Sequence, residues 1–372
     1  MGSGMRGTHL LTGGTGFLGS AMLLNLLTHT ENEVWCVVRG KSSVHAQARL
    51  HDALTRVADV LDRTGDLLRY DVARRCRVVR GDVREPLLGL NPEALPRIGC
   101  LWACAASLRY EVDFSDEIHE ANVRGARHAI SLAQWFDAQL NYVSTAYVFG
   151  QERGKQFEML PPARRPTNNL YEHSKIAAEN LVADSVLDWR VLRPGAVVGD
   201  SGTLRTPGHS GLYDIAVKVR RFRRQYQPRF PELLTRQAVL AAEADNEVHL
   251  VPLDQVAGHG VLVGLHGEVG KIFHLTNATP PHVDNVYGNV FEWAGLPRPV
   301  FEPHAGPEHL LDQRLARALA FHLPYTVGHV AFDRTNTEAV VGAGAMEFPM
   351  PDSVVAALVA RYGDEILTRS ST

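Results

Sequence analysis

The stretch Thr8–Gly19, THLLTGGTGFLG, decides the fold. Its first five residues read as a short strand, about Thr8 to Thr12. Gly13, Gly16 and Gly19 then fall at G-x-x-G-x-x-G spacing, and Leu18, Met22 and Leu26 recur at helical spacing from about Phe17 onward. A glycine triplet alone is weak evidence, but one that leaves a first strand and opens a helix is informative. Free backbone N–H groups at that helix start, together with the helix dipole, favour an anion such as a dinucleotide pyrophosphate. Glycine permits both the tight turn and the close approach of the backbone to the ligand.

Working outward, EVWCVVRG reads as a second buried strand ending at Arg39, and Leu50, Leu54, Val57 and Leu61 mark an amphipathic helix after it. CRVVRGD and CLWACAA read as a third and a fourth strand. A long helix is expected at roughly Asp116 to Trp135, a fifth strand in LNYVSTAYVFG, a helix from near Tyr171, and a sixth strand in WRVLRPG. Strand and helix alternate without a hairpin signal, which predicts an α/β fold: a doubly wound parallel sheet of Rossmann type. HLVPLDQVA and KIFHLTN read as late strands returning to that sheet. Residues 200–246 are irregular and Arg-rich. Helices are expected near Pro307–Phe321, with Leu310, Leu311, Leu315 and Leu319 as its packed side, and near Pro351–Tyr362. The expected division is a nucleotide-binding domain over residues 5–200, with 247–280 returning to it. A smaller mixed substrate lobe takes residues 201–246 and 281–372.

The 372 residues are 45% hydrophobic and 21% charged with a net charge of −3, ordinary for a globular chain and no case for nucleic-acid binding. Four cysteines are too sparse for a disulfide scaffold or a metal site, and they read as buried thiols. No apolar run approaches the ~20 residues of a membrane helix. The chain enters its first strand with no room for a signal peptide, so a cytoplasmic location is expected.

At the end of the second strand a carboxylate would suit the ribose hydroxyls of NAD. Arg39 stands there instead, with Lys41 close behind and Arg49 on the next helix. A guanidinium suits the 2′-phosphate of NADP, which it can bind with two hydrogen bonds. Asp82, closing the third strand, is placed to reach the adenine amino group, or else is a turn residue. The fifth strand ends at Ser144 and Thr145, and 26 residues past Thr145 comes Tyr171, with Lys175 four further on. Residues i and i+4 share a helix face, ~6 Å apart at Cβ. An ammonium there would lower the phenol from its usual pKa of ~10 and make Tyr171 a proton donor near neutrality. The Thr145 hydroxyl would hydrogen-bond a substrate carbonyl oxygen.

With the motifs TGGTGFLG, RGDV, CAAS, ANVRGARHAI, VSTAYVFG, YEHSK, LRPGAVVGDS and VPLDQVA in order over about Thr8 to Asn277, the chain resembles an extended short-chain dehydrogenase/reductase. The resemblance implies a catalytic triad of Thr145, Tyr171 and Lys175, with Lys175 also holding the nicotinamide ribose. It further implies that Asn122 braces the site and that Pro194 and Gly195 line the nicotinamide pocket. Gly13, Thr15, Gly16, Phe17, Leu18, Gly19, Arg39, Arg49, Asp82, Val83 and Ala105 complete the implied cofactor contacts. Within the family, TGGTGFLGSAMLLNLL, VWCVVRG followed by ARL, and YEHSKIAAENLV resemble the thioester reductase branch. That branch comprises the terminal reductase domains of nonribosomal peptide synthetases and carboxylic acid reductases, and the fatty acyl-CoA reductases. It implies an NADPH-dependent reductase that converts an acyl thioester to an aldehyde, in some members on to an alcohol.

The 372 residues show no adenylation domain and no carrier domain, so the thioester is expected on CoA or a separate carrier protein. KVRRFRRQYQPRF, Lys218–Phe230, could meet a CoA phosphate or an acidic carrier, or be a solvated helix face whose Phe222, Tyr226 and Phe230 pack inward. The C-terminal FHLPYT and FDRTNTEAV also resemble this branch, although Thr335 with Glu338 is explained by a helix capping box. Two rivals share the fold. Dehydratases carry an Asp-Glu pair after the strand hydroxyl, where this chain has Ala146-Tyr147. Epimerases usually show an acidic residue where Arg39 sits. A ketone or aldehyde reductase would keep the same triad.

Overall fold

The computed structural model describes residues 7–208, 211–304, 306 and 308–369. Seven strands form one parallel sheet: β1 (Thr8–Thr12), β2 (Val34–Val38), β3 (Cys76–Arg80), β4 (Ile98–Ala103), β5 (Gln139–Val143), β7 (Trp189–Pro194) and β11 (Lys271–Leu275), with β6 (Gly154–Gln156) outside it. Their order across the sheet is β11-β7-β5-β4-β1-β2-β3, so the strand order reverses beside β1. In open α/β sheets, ligands bind in the crevice at the carboxyl ends of the strands at such a reversal. Runs such as VWCVV and IGCLWA are buried because helices cover both faces. One face packs the helices Phe17–His29, Ser43–Val60 and Leu253–His266 through Met22, Leu26, Leu54, Val57 and Val256. The other packs Gly125–Phe136 and Leu170–Ala183 through Ala129, Ala133, Ala178 and Val182.

The sheet is the doubly wound one expected from the sequence. The other strands pair two by two: β8 (Ala196–Val198) with β10 (Leu250–Pro252), β9 (Val239–Leu240) with β12 (Val300–Phe301), and β6 with β13 (Val330–Phe332). The reading of HLVPLDQVA therefore needs correction: β10 does not return to the large sheet, whereas KIFHLTN does, as β11. The chain turns at Gly195 after β7, and β10 follows β8, where Ala196 N–H bonds the His249 carbonyl at 2.9 Å.

A second hydrophobic core gathers Tyr213, Ile215, Val219 and Phe222 of the helix Leu212–Tyr226 with Val286, Val290 and Phe291 of Val283–Trp293 and with Val355, Leu358 and Val359. Phe222, Tyr226 and Phe230 pack in succession with tilted rings, their centres 4.9 and 6.4 Å apart. Pro307 lies outside the described residues, as do residues 5 and 6 and the last three. The helix there spans Leu310–Ala318 and buries Leu311 and Leu315, with Leu319 just beyond it, but Leu310 is exposed. One step round a helix is ~100°, which takes Leu310 off the i, i+4 stripe of the other three. The capping box also does not form. Thr335 bonds Asp333, and Glu158 accepts instead from the backbone N–H groups of Asn336 and Thr337. Among the described residues no helix is long and apolar enough to cross a membrane.

Candidate active site

The glycine turn shapes a cradle that side chains would fill. Gly13 has φ +78°, and a Cβ on it would sit 2.7 Å from the Ala105 amide nitrogen. A Cβ on Gly19 would sit 2.2 Å from the Gly13 carbonyl oxygen. The helix Phe17–His29 starts at Gly16 with no side-chain cap, so its first N–H groups face the turn. This is the form a dinucleotide pyrophosphate fits. Ala105 N–H is held by Thr12 Oγ1 at 3.2 Å. Thr15, Phe17 and Leu18 are half-buried on the turn and the first helical residues.

Further along the cleft, Arg39 is exposed at the end of β2 and Arg49 donates to its backbone carbonyl, so the two predicted phosphate ligands stand side by side. Asp82 already has a partner. Its carboxylate takes Arg84 Nη2 at 2.7 Å and the Arg84 backbone N–H at 3.0 Å, which holds it below the usual carboxylate range even against partial burial. Val83 follows it, its carbonyl 2.9 Å from His128 Nδ1. Gly195 N–H bonds the Leu275 carbonyl at 3.1 Å beside buried Pro194, and a Cβ on Gly195 would lie 2.7 Å from the His249 carbonyl oxygen.

The three residues of the expected triad come from the end of one strand and the start of one helix. Thr145 follows β5, and Tyr171 and Lys175 lie in the first turns of the helix Leu170–Ala183, which Asn169 Oδ1 caps by accepting Glu172 N–H at 3.0 Å. The Thr145 hydroxyl lies close enough to that of Tyr171 to draw the phenol down against the upward push of burial. One expectation is overturned. Lys175 Nζ donates to the Val143 carbonyl at 2.8 Å and to the Tyr142 hydroxyl at 3.2 Å and does not act on Tyr171. Burial therefore governs both groups. It raises the Tyr171 phenol well above its ordinary value, and it lowers Lys175 to about 8. At neutral pH Tyr171 is firmly protonated, which is the form a proton donor needs.

Asn122 sits where the helix after β4 widens into a π-turn, His119–Arg124. Its amide donates to Ser174 Oγ at 2.9 Å and to the Ser107 carbonyl at 3.0 Å, and its oxygen accepts Ser107 N–H at 2.7 Å. Ser174 in turn donates to the Tyr171 carbonyl at 2.7 Å. The brace therefore joins the loop after β4 to the helix carrying Tyr171. Sequence reasoning missed Ser107, Ser174 and Tyr142. Ser174 lies inside YEHSK, but only its position on the helix face toward Asn122 reveals the link. Among the described residues no group of three or more His, Cys, Asp or Glu is arranged to hold a metal ion.

Residues 11–259 match the family model described as Male sterility protein, an NAD-binding domain. The chain is 32% identical over 205 residues to the isonitrile lipopeptide synthase of Streptomyces coeruleorubidus, a match covering 52% of this chain and 13% of that protein. It is 29% identical over 165 residues to human (Homo sapiens) fatty acyl-CoA reductase 1, covering 42% of this chain and 31% of that one. The chain thus spans well under two thirds of these curated relatives. Among solved structures, the terminal R domain from the myxalamid PKS-NRPS biosynthetic pathway superposes with a TM-score of 0.75 at 24% identity, over 98% of this chain and 92% of that one.

Proposed function

Because the chain belongs to the Male sterility protein family of NAD-binding domains, and so is an oxidoreductase of the extended short-chain dehydrogenase/reductase class, we propose that it reduces an acyl thioester to an aldehyde with NADPH. What supports this reading is that the Thr145 and Tyr171 hydroxyls meet at the carboxyl end of β5, the same edge of the sheet from which the glycine turn leaves β1. Gly13, Gly16 and Gly19 would hold the pyrophosphate, Arg39 and Arg49 the 2′-phosphate, and Lys175 the ribose beside the nicotinamide.

When bound, NADPH supplies the hydride that goes to the thioester carbon. The chain supplies the proton and the place. Thr145 and Tyr171 bind the carbonyl oxygen, which takes on negative charge as the carbon is reduced. Tyr171 gives that oxygen its proton, leaving a thiohemiacetal. When the hydroxyl proton passes to the departing sulfur and the C–S bond breaks, the products are an aldehyde and a free thiol. Asn122, through Ser174, keeps the Tyr171 backbone fixed while its hydroxyl changes partner. The proposed substrate lobe, residues 201–246 and 281–372, closes over the acyl chain. Delivery on CoA or on a separate carrier protein suits both kinds of relative, a lipopeptide synthase and an acyl-CoA reductase.

An NADPH-oxidation assay against acyl-CoA and acyl-carrier thioesters, with the matching aldehydes and simple ketones, tests the reading. Turnover of thioesters with release of free thiol is expected. Turnover of ketones alone would instead make the protein a carbonyl reductase.

A further inference from the structure

Glu172, the residue beside Tyr171, is fully buried at 0% exposure. A carboxylate so placed costs several kcal/mol unless hydrogen bonds or cations hold it. Among the described residues no Lys or Arg comes within ion-pair distance, and Arg153 attracts it only through space. Hydrogen bonds take the cation's place. Glu172 Oε2 accepts the Asn168 backbone N–H at 2.7 Å, and Oε1 accepts the Asn168 side-chain amide at 3.2 Å. The remaining donor comes from far along the chain: the Tyr325 hydroxyl donates to Oε1. Tyr325 also accepts from Asn169 Nδ2 at 2.8 Å, and Asn169 is the residue that caps the helix. Its ring meets that of Tyr147 edge-on, 5.0 Å between centres at 77°. The Tyr147 backbone N–H in turn donates to Thr145 Oγ1 at 3.2 Å.

Tyr325 therefore touches both elements that present the catalytic hydroxyls, the strand end with Thr145 and the helix start with Tyr171. We propose that Tyr325 and Glu172 are a positioning pair, through which the C-terminal part of the chain sets the Tyr171 hydroxyl against Thr145. The inference rests on the reading of Tyr171 as proton donor. Neither residue touches the reacting atoms. The pair acts through the backbone on either side of Tyr171 and through Tyr147. A negative charge at this helix start is also favourable to the helix, and it raises the Tyr171 phenol further, keeping the donor protonated.

The test uses the whole chain, NADPH, and the thioester or aldehyde of the panel that turns over fastest. Tyr325→Phe keeps the ring and removes one donor from the carboxylate. We expect NADPH affinity, followed by fluorescence, to stay within about twofold of the parent and kcat to fall about tenfold. The acidic limb of the kcat–pH profile should move to higher pH, because a carboxylate with fewer donors protonates sooner. Glu172→Gln should also slow turnover and abolish that limb. The double variant should be no slower than Glu172→Gln alone, since the two residues act as one unit. Should Tyr325→Phe fail to fold, the loss of the limb in Glu172→Gln carries the test. A parental kcat and pH limb in Tyr325→Phe, a limb that persists in Glu172→Gln, or losses that multiply in the double variant, would overturn the pairing. Full activity in Tyr171→Phe would instead sink the underlying reading of the donor, whatever Tyr325 does.

Discussion

The two ends of the cofactor cleft are built on opposite principles. At the proposed catalytic end, Thr145, Lys175 and Asn122 are 6%, 2% and 2% exposed, and hydrogen bonds between β5, the loop after β4 and the helix Leu170–Ala183 hold them. At the proposed adenosine end, Arg39 is exposed and Arg49 half-buried, and the bond between them runs to a backbone carbonyl. Burial at one end sets protonation states. Exposure at the other leaves permanently charged guanidiniums in water, where a phosphate can displace solvent. Changes at the first end should therefore alter chemistry and stability together. Those at the second should alter cofactor choice alone.

The sharpest break in that contrast comes from Tyr171→Phe, which deletes the proposed donor and leaves the ring. Turnover should fall by about 10³, within the usual range for losing a general acid, with NADPH affinity unchanged. Retained turnover would remove Tyr171 from the chemistry. Arg39→Asp comes next. It replaces the proposed phosphate ligand with a group that repels phosphate and accepts ribose hydroxyls, so the NADPH-over-NADH ratio of kcat/KM should fall about 100-fold. Equal losses with both nucleotides would refute the 2′-phosphate role. The melting temperature should stay within a degree or two of the parent, as for other exposed sites.

Lys175→Met tests the buried end through pH. Lys175 is lowered in the fold to about 8, so between pH 8 and 10.5 the unfolded chain holds a proton that the folded chain does not. The parent therefore gains stability as pH rises through that window. The neutral variant has no such gain. Its stability relative to the parent should be most favourable below pH 8 and decline by a few kcal/mol toward pH 10.5, as read from denaturant midpoints. A difference that stays flat with pH would mean that Lys175 is not buried as a charge.

How far these features were readable from the sequence depended on whether their cause is local. VWCVV and IGCLWA are apolar on both faces and so announce themselves as buried strands, and the glycine turn is legible because its three positions serve one backbone path. The pairing of β10 was not legible, because Leu250–Pro252 is three apolar residues that would suit either sheet. TNTE has the right letters for a capping box, but the helix begins one residue early, with Arg334 as its cap, and the Arg334 carbonyl takes the Glu338 N–H. In the site, the spacing of Tyr171 and Lys175 marks a shared helix face, while the direction of the Lys175 side chain depends on Tyr142 and on the Val143 carbonyl, both from another element. Glu172 and Tyr325 lie 153 residues apart and share no pattern.

Arg49→Ala should give the smallest effect and so marks the edge of the contrast. Arg49 reaches the cofactor end from the helix Ser43–Val60, and its bond to the Arg39 carbonyl places a second positive charge beside the first. If that charge contacts phosphate only as a neighbour of Arg39, its removal should weaken NADPH binding about three- to fivefold, the scale of an exposed charge contact. The loss should shrink as salt rises from about 50 to about 500 mM, since exposed charges are screened within about 10 Å at moderate ionic strength. NADH binding should not change, because it offers no 2′-phosphate. A loss of both nucleotides alike would mean that Arg49 shapes the turn after β2 and does not read the phosphate. The exposed end would then be organised by structure in the same way as the buried one.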